Sequence, residues 1–399
     1  MSKPKVFEKP TGVQDYLPDV VAKLRAIETR VLECMSRWGY QEIMTPTLEF
    51  YDTVGIASST SDNKLFKLLD RNGATLVMRS DMTAPIARVV SSLLKDRPFP
   101  LRLSYHGAVF RATPAEAGRD MEFFQTGLEL VGDASAEADA EVVALAVAAL
   151  QAAGVSRFKI AIGHVGFLNG LLQAALPGRP EDQQELKERL LNRDFVGYRD
   201  SLRKLALPQG VEEELAGILR LRGGEEICSQ ALQLKLDQGA AESIGHLCEV
   251  WNILKDYGVC EQVLIDLTMI GDFDYYTGMI FEGYAAELGF PVCSGGRYDK
   301  LLQQFGRPAA ATGFALKTNR ILEVVDSEQV MELDSVLVLY SAEKRGEALR
   351  TAHLLRIEDE ARVVAKRVES EREWEEAQEL PGGGVSWRGE VYSRLVRLK

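Results

Sequence analysis

From about residue 175 to residue 257 the chain is rich in Leu, Glu, Gln and Arg, carries several helical periods and shows little strand pattern, whereas strand signals crowd both sides of this block. The fold must therefore place a helical insertion inside a body dominated by strands. Ahead of it, Leu24, Ile27, Val31, Met35 and Trp38 recur at helical spacing. Pro18-Asp19 opens that helix, with Asp19 as the expected N-cap, and Gly39 ends it. An extended segment runs from Tyr40 to Leu48, where Pro46 suggests an edge or a strand end. Segments 65–70 and 75–79 flank Asn72-Gly73, a pair that favours the tight turn of an antiparallel hairpin.

Two longer strands, 101–111 and 122–131, are joined by a polar loop, and an Ala-rich helix (135–153) and a strand (158–162) follow. Beyond the insertion, strands are expected at 262–268, 277–285, 291–294 and 311–316, the last leading into a helix that ends near Val325. A polar, acidic boundary covers 326–334. After it, strand (336–340), helix (343–356) and strand (361–368) predict a small C-terminal α/β domain over 335–399. The charged run 369–379 reads as a solvated helix face.

At 399 residues, 46% hydrophobic and 27% charged, the chain can bury a sizeable core. It has no run of the roughly 18–20 apolar residues that a membrane helix needs, and no apolar run follows its first residues. The expectation is a cytoplasmic protein without membrane contact. Cys34, Cys228, Cys248, Cys260 and Cys293 are scattered, form no Cys-x-x-Cys pair and do not cluster with the four histidines. That predicts reduced, structural cysteines and no metal site. A net charge of −12 opposes a phosphate backbone unless basic residues are segregated on one face.

Three segments are more specific. Residues 101–132 read LRLSYHGAVFRATPAEAGRDMEFFQTGLELVG, residues 271–282 read GDFDYYTGMIFE with SGGRY at 294–298, and residues 311–322 read ATGFALKTNRIL. Together they resemble the core of the class II aminoacyl-tRNA synthetases, and in particular the histidyl-tRNA synthetase type. The opening PTGVQDYLP and the segment GYQEIMTPTLE fit as well, so the resemblance covers roughly residues 8–325. It implies an α+β fold: an antiparallel sheet flanked by helices, with the helical insertion at about 175–257, forming a core over 1–325.

The resemblance places two phosphate-binding arginines at Arg111 and Arg320. A lone arginine at a strand end is ordinarily a surface ion pair worth about 0–1 kcal/mol, but a triphosphate needs such cations. For free histidine, it places Asp81, Thr83 and Gln125 around the α-ammonium, and Glu129 and Tyr276 around the imidazole, with Tyr275 beside them. Gln125 and Glu129 lie four apart on one strand and so share a face; Asp81 and Thr83 share a face if extended. Carboxylates and an amide converging on one pocket are costly to bury unless a polar or cationic group fills it.

Three departures weaken the catalytic side of the resemblance. Gly271, followed by Asp272, stands where the histidyl branch carries an arginine for the α-phosphate and carboxylate; losing such a cation costs on the order of 10²–10³ in rate. Thr113 replaces an acidic residue that helps hold adenine. Lys317-Thr318-Asn319 replaces glycine, a large apolar residue and glutamate. Surviving histidine contacts beside an eroded ATP site, now vestigial at Arg111 and Arg320, resemble the regulatory subunit family of ATP phosphoribosyltransferase. That family implies a non-catalytic subunit joined to a short-form catalytic subunit in a hetero-oligomer, with histidine as effector and no cofactor. Arg111 is then the nearest candidate cation for the histidine carboxylate. The segment 39–48 with the preceding helix resembles the class II dimer motif and implies a homodimeric core. The rival readings are an active histidine–tRNA ligase with a reduced anticodon domain, and a pseudo-synthetase sensing uncharged tRNA. No basic tRNA-binding face is legible, so tRNA is not an expected partner.

Overall fold

Along Glu122–Val131 the apolar Leu128 and Leu130 enter one buried cluster, while Gln125 and Glu129 line a cavity on the opposite face of the sheet. This alternation organises the body of the chain. The computed structural model describes residues 7–58, 60–112, 120–234, 236–270, 276–325, 334–381 and 383–399. The elements divide between two units, Met1–Asp326 and Ser327–Lys399.

In the first unit, α1 (Pro18–Arg37) leads to β1 (Gln41–Glu42) and β2 (Leu48–Phe50), then to β3 (Lys67–Leu69), β4 (Thr75–Met78) and α2 (Thr83–Ser91). Strands β5 (Leu101–Phe110) and β6 (Glu122–Val131), helix α3 (Ala136–Ala153) and strand β7 (Phe158–His164) follow. The insertion comprises α4 (Val165–Ala175), α5 (Pro180–Leu191), α6 (Phe195–Lys204), α7 (Gln209–Gly217), β8 (Arg222–Gly223), α8 (Glu226–Ala231) and α9 (Gln238–Asp256). Strands β9 (Val263–Asp266), β10 (Met279–Ala285), β11 (Cys293–Arg297) and β12 (Ala311–Lys317) and helix α10 (Thr318–Val324) complete it.

Nine strands form one sheet in the order β1-β5-β6-β12-β11-β10-β7-β9-β8. Its centre is antiparallel, as expected, but β1 pairs with β5 and β7 with β9 in parallel, so the sheet is mixed toward its edges. One face is covered by α1, α3, α4 and α9 in a single large apolar cluster. α3 is apolar on nearly every side because it is covered on nearly every side. Ser135 Oγ caps it by accepting from the Ala138 amide at 3.3 Å, and Gly154 ends it in the left-handed region at φ 95°.

Three local expectations are corrected. Leu17, not Asp19, occupies the N-cap of α1; Pro18 takes the first helical position, which places Asp19 inside the first turn. Of Asn72-Gly73 only Gly73 has a positive φ, at 84°. The turn is therefore longer than a two-residue hairpin, and the Asp70 carboxylate holds it by accepting from the Asn72 and Ala74 amides, each at 2.8 Å. Cys228 on α8 and Cys248 on α9, expected reduced, are joined in a disulfide with their Cα atoms 5.8 Å apart. Their approach depends on helix packing that the spacing of 20 residues does not announce.

The second unit contains β13 (Ser335–Tyr340), α11 (Arg345–Glu358), β14 (Arg362–Arg367), α12 (Glu371–Glu375), β15 (Gln378–Glu379), β16 (Val385–Trp387), β17 (Glu390–Tyr392) and β18 (Arg394–Leu398). Strands β14-β13-β18 form a parallel sheet, and β15-β16-β17 form a small antiparallel one. The charged run at 369–379 is only in part a helix, since α12 is one short turn and β15 follows it.

Candidate functional site

The floor of the candidate site is a ladder. On β6 and β12 the facing pairs are Gln125 with Lys317, Gly127 with Ala315, and Glu129 with Gly313. On β12 and β11, Ala315 faces Ser294 and Gly313 faces Gly296. Small residues in the middle of three neighbouring strands leave a hollow above the sheet. A cavity of about 650 Å³ occupies it, walled by Asp81, Thr83, Tyr105, Arg111, Tyr276, Tyr298 and Arg320 among others. Gly127 has no room for a side chain, because a β-carbon there would lie 2.7 Å from Cζ of Tyr105. At Gly296 it would lie 2.9 Å from a ring carbon of Tyr276.

Glu129 sits at the bottom with 1% of its surface exposed. Its Oε1 accepts from the Thr83 hydroxyl at 2.8 Å, and its Oε2 accepts from the Tyr298 hydroxyl. Burial pushes its carboxyl up to about 8, against the two hydroxyl donors that favour the ionised form, and the nearby Asp81 carboxylate adds a further upward push.

Asp81 precedes α2 and does two jobs. Its Oδ1 accepts from the Ala84 amide at 3.0 Å, tying down the start of the helix, and its Oδ2 accepts from the Ser58 hydroxyl at 2.5 Å. Thr83 is already the first residue of α2, so the condition of an extended segment is not met and this pair reaches the cavity through a helix start.

Both arginines at the cavity wall are anchored. Arg111 Nε donates to the Ser80 carbonyl at 2.9 Å, and its guanidinium carbon lies 5.3 Å from the centre of the Phe123 ring. Arg320 Nη1 donates to the Pro291 carbonyl at 2.8 Å, with its guanidinium carbon 5.2 Å from the centre of the Phe290 ring. Asn319 is a structural link: its Oδ1 accepts from the Phe124 amide at 2.8 Å and its Nδ2 donates to the Tyr16 hydroxyl at 2.6 Å.

Behind the sheet, Arg297 holds the floor in place. Its Nε donates to Asp139 on α3 at 2.9 Å, and its remaining nitrogens donate to the carbonyls of Asp133 and Ser135. His246 on α9 shares the same Asp139 oxygen at 2.8 Å. The two partners keep the Asp139 carboxyl below its ordinary range although burial opposes ionisation.

Thus Asp81, Thr83, Arg111, Gln125, Glu129, Tyr276 and Arg320 all line one cavity. Tyr275 lies outside the described residues, as do Gly271, Asp272 and Thr113. The sequence reading passed over Tyr298, although it lies in the Gly-Gly-Arg-Tyr segment, and passed over Tyr105 and Ser58, which carry no motif signal. It treated Lys317 only as a departure from a pattern. Among the described residues no group of His, Cys, Asp and Glu is arranged to hold a metal ion, and no helix is long and apolar enough to cross a membrane.

The family model for histidyl-tRNA synthetase matches residues 12–321. The ATP phosphoribosyltransferase regulatory subunit of Halalkalibacterium halodurans is 44% identical over 365 residues, covering 91% of this chain and 92% of its own. That of Bacillus subtilis is 44% identical over 349 residues, covering 87% and 88%. A crystal structure described as an ATP phosphoribosyltransferase regulatory subunit/histidyl-tRNA synthetase from Bacillus halodurans superposes with a TM-score of 0.88 at 39% identity, covering all of both chains. The histidyl-tRNA synthetase of Nostoc shares the fold, with a TM-score of 0.78 at 20% identity over 92% of this chain and 88% of its own. With close relatives along nearly its whole length, the chain belongs to the family of ATP phosphoribosyltransferase regulatory subunits, built on the histidyl-tRNA synthetase fold.

Proposed function

We propose that this chain is a non-catalytic, cytoplasmic regulatory subunit that joins a short-form ATP phosphoribosyltransferase catalytic subunit and brings it under feedback inhibition by histidine. One observation carries the reading of the pocket: Asp81, Gln125, Glu129 and Tyr276 converge on one cavity in which Glu129 is fully buried. Buried acidic groups call for a ligand that brings N–H donors or positive charge. A histidine zwitterion brings an ammonium and ring N–H groups. Asp81, Thr83 and Gln125 would hold the ammonium, and Glu129 and Tyr276 the imidazole.

Histidine shifts the assembly only through a difference in affinity for its two states, so it must bind the inhibited arrangement more tightly. The test is co-purification with the short catalytic subunit followed by a histidine titration of its activity. The expected result is a stable complex, activity that depends on this chain, and inhibition by histidine. The rival ligase reading is checked with ATP, magnesium and histidine alone: pyrophosphate exchange should stay at background, and robust exchange would overturn the proposal.

The core is proposed to be a homodimer. Leu48 and Phe50 on β2 and Leu68 on β3 are exposed on the three-stranded sheet β2-β4-β3, and Phe50 and Leu68 both face Leu76. An apolar face of this kind suits a subunit contact.

A further inference from the structure

We infer that Lys317 is the residue that binds the ligand's carboxylate and so sets the pocket's preference for an intact amino acid. This rests on the reading of the cavity as an amino-acid site. Gly313, Ala315 and Lys317 alternate onto the cavity side of β12, opposite Glu129, Gly127 and Gln125 on β6. The floor therefore has a polar axis, with a buried carboxyl at one end, a cation at the other, and only a glycine–alanine pair between them. Four strand residues separate the ends, roughly 13 Å along the backbone. The Lys317 side chain is shorter than that gap, but it lines the cavity and can meet a ligand lying between the two ends.

The other cations enter from outside the floor strands. In the β5–β6 ladder Gln125 faces Gly107, and Arg111 joins the wall from just past the end of β5, four residues beyond Gly107. Its Nε is bonded to the Ser80 carbonyl at 2.9 Å. Arg320 belongs to α10, and its Nη1 is bonded to the Pro291 carbonyl at 2.8 Å. Lys64 reaches the wall from the segment ahead of β3. Lys317 alone among these four has its backbone in the floor, directly across from Gln125. Acidic groups also face the cavity, namely Asp81, Asp120 and Glu323. A carboxylate in such surroundings is accepted only where a cation is close, and an ammonium on a flexible stem supplies a compact charge there.

Binding of histidine and of histamine, which lacks the carboxylate, is measured by calorimetry on the full chain and on Lys317→Met, Lys317→Gln, Lys317→Arg and Arg111→Gln. The wild type is expected to prefer histidine. Lys317→Met should lose about tenfold or more in histidine affinity and leave histamine affinity unchanged, whereas Lys317→Arg should keep most of the preference. Lys317→Gln gives the same reading should the methionine variant misfold. If histidine still binds Lys317→Met and Lys317→Gln as it binds the wild type, or if Arg111→Gln is the variant that loses the preference, the assignment is overturned. If the wild type binds no histidine, the amino-acid reading fails and this inference with it.

Discussion

Gly313 faces Glu129 across the β6–β12 ladder, and a β-carbon on Gly313 would fall on the Glu129 carboxyl group. The glycine is there for space: it has no left-handed φ that would otherwise demand it. Gly313→Ala should therefore displace Glu129 from Tyr298 and Thr83 and also strain the β6–β12 pairing, because the added carbon would clash with the Leu128 carbonyl oxygen. The expected outcome is a lowered thermal midpoint together with histidine affinity reduced about tenfold or more in calorimetry, the loss of one charged hydrogen bond.

Glu129→Ala should weaken histidine by a similar factor for a different reason, since it removes the acceptor and leaves the shape open. Equal histidine binding by the variant and the wild type would show that the imidazole is read elsewhere in the cavity.

The Glu129 carboxyl is pushed up from its ordinary 4.5 to about 8 in the folded chain. A raised folded-state pKa means that the folded state holds a proton the unfolded chain has released. The associated stabilisation is complete below 4.5 and is lost as pH rises through about 8. Thermal melts between pH 5 and pH 9 should fall more steeply for the wild type than for Glu129→Gln, which cannot titrate. When histidine donates a ring N–H to Glu129, the ionised form is favoured. Binding between pH 7 and 8, where free imidazole is already mostly neutral, should release a proton. Calorimetry in buffers of different ionisation enthalpy reads that proton directly, and Glu129→Gln should abolish it.

The Cys228–Cys248 bridge leaves Cys34, Cys260 and Cys293 as free thiols. Protein purified without reductant and then denatured should titrate three thiols, and five after reduction. For a loop of this length the chain-entropy model expects the bridge to contribute about 3 kcal/mol, so Cys248→Ser should shift the denaturation midpoint downward under oxidising conditions and leave it nearly unchanged in reductant.

Phe50 is more than half exposed on the β2-β4-β3 sheet. Phe50→Glu should convert a dimer to a monomer in sedimentation at micromolar concentration without changing the isolated chain's helix content. A wild type that sediments as a monomer would remove the dimer proposal.

Much of the order of strands and helices was legible from periodicity, because burial on one face of a strand or helix leaves a direct imprint on residue spacing. Gln125 and Glu129 could be placed on a common face for the same reason. Strand partners could not be read this way. β12 lies between β6 and β11, and only that arrangement puts Lys317 opposite Gln125 and Gly313 opposite Glu129. Tyr298 reaches Glu129 from a position 169 residues away, and Cys228 meets Cys248 only because α8 packs on α9. The sequence by itself determined which residues are apolar, polar or small on each face. The tertiary structure decided which of those faces meet, and with them the burial that raises Glu129 and the polar axis of the pocket, since register and desolvation depend on neighbours that are distant along the chain.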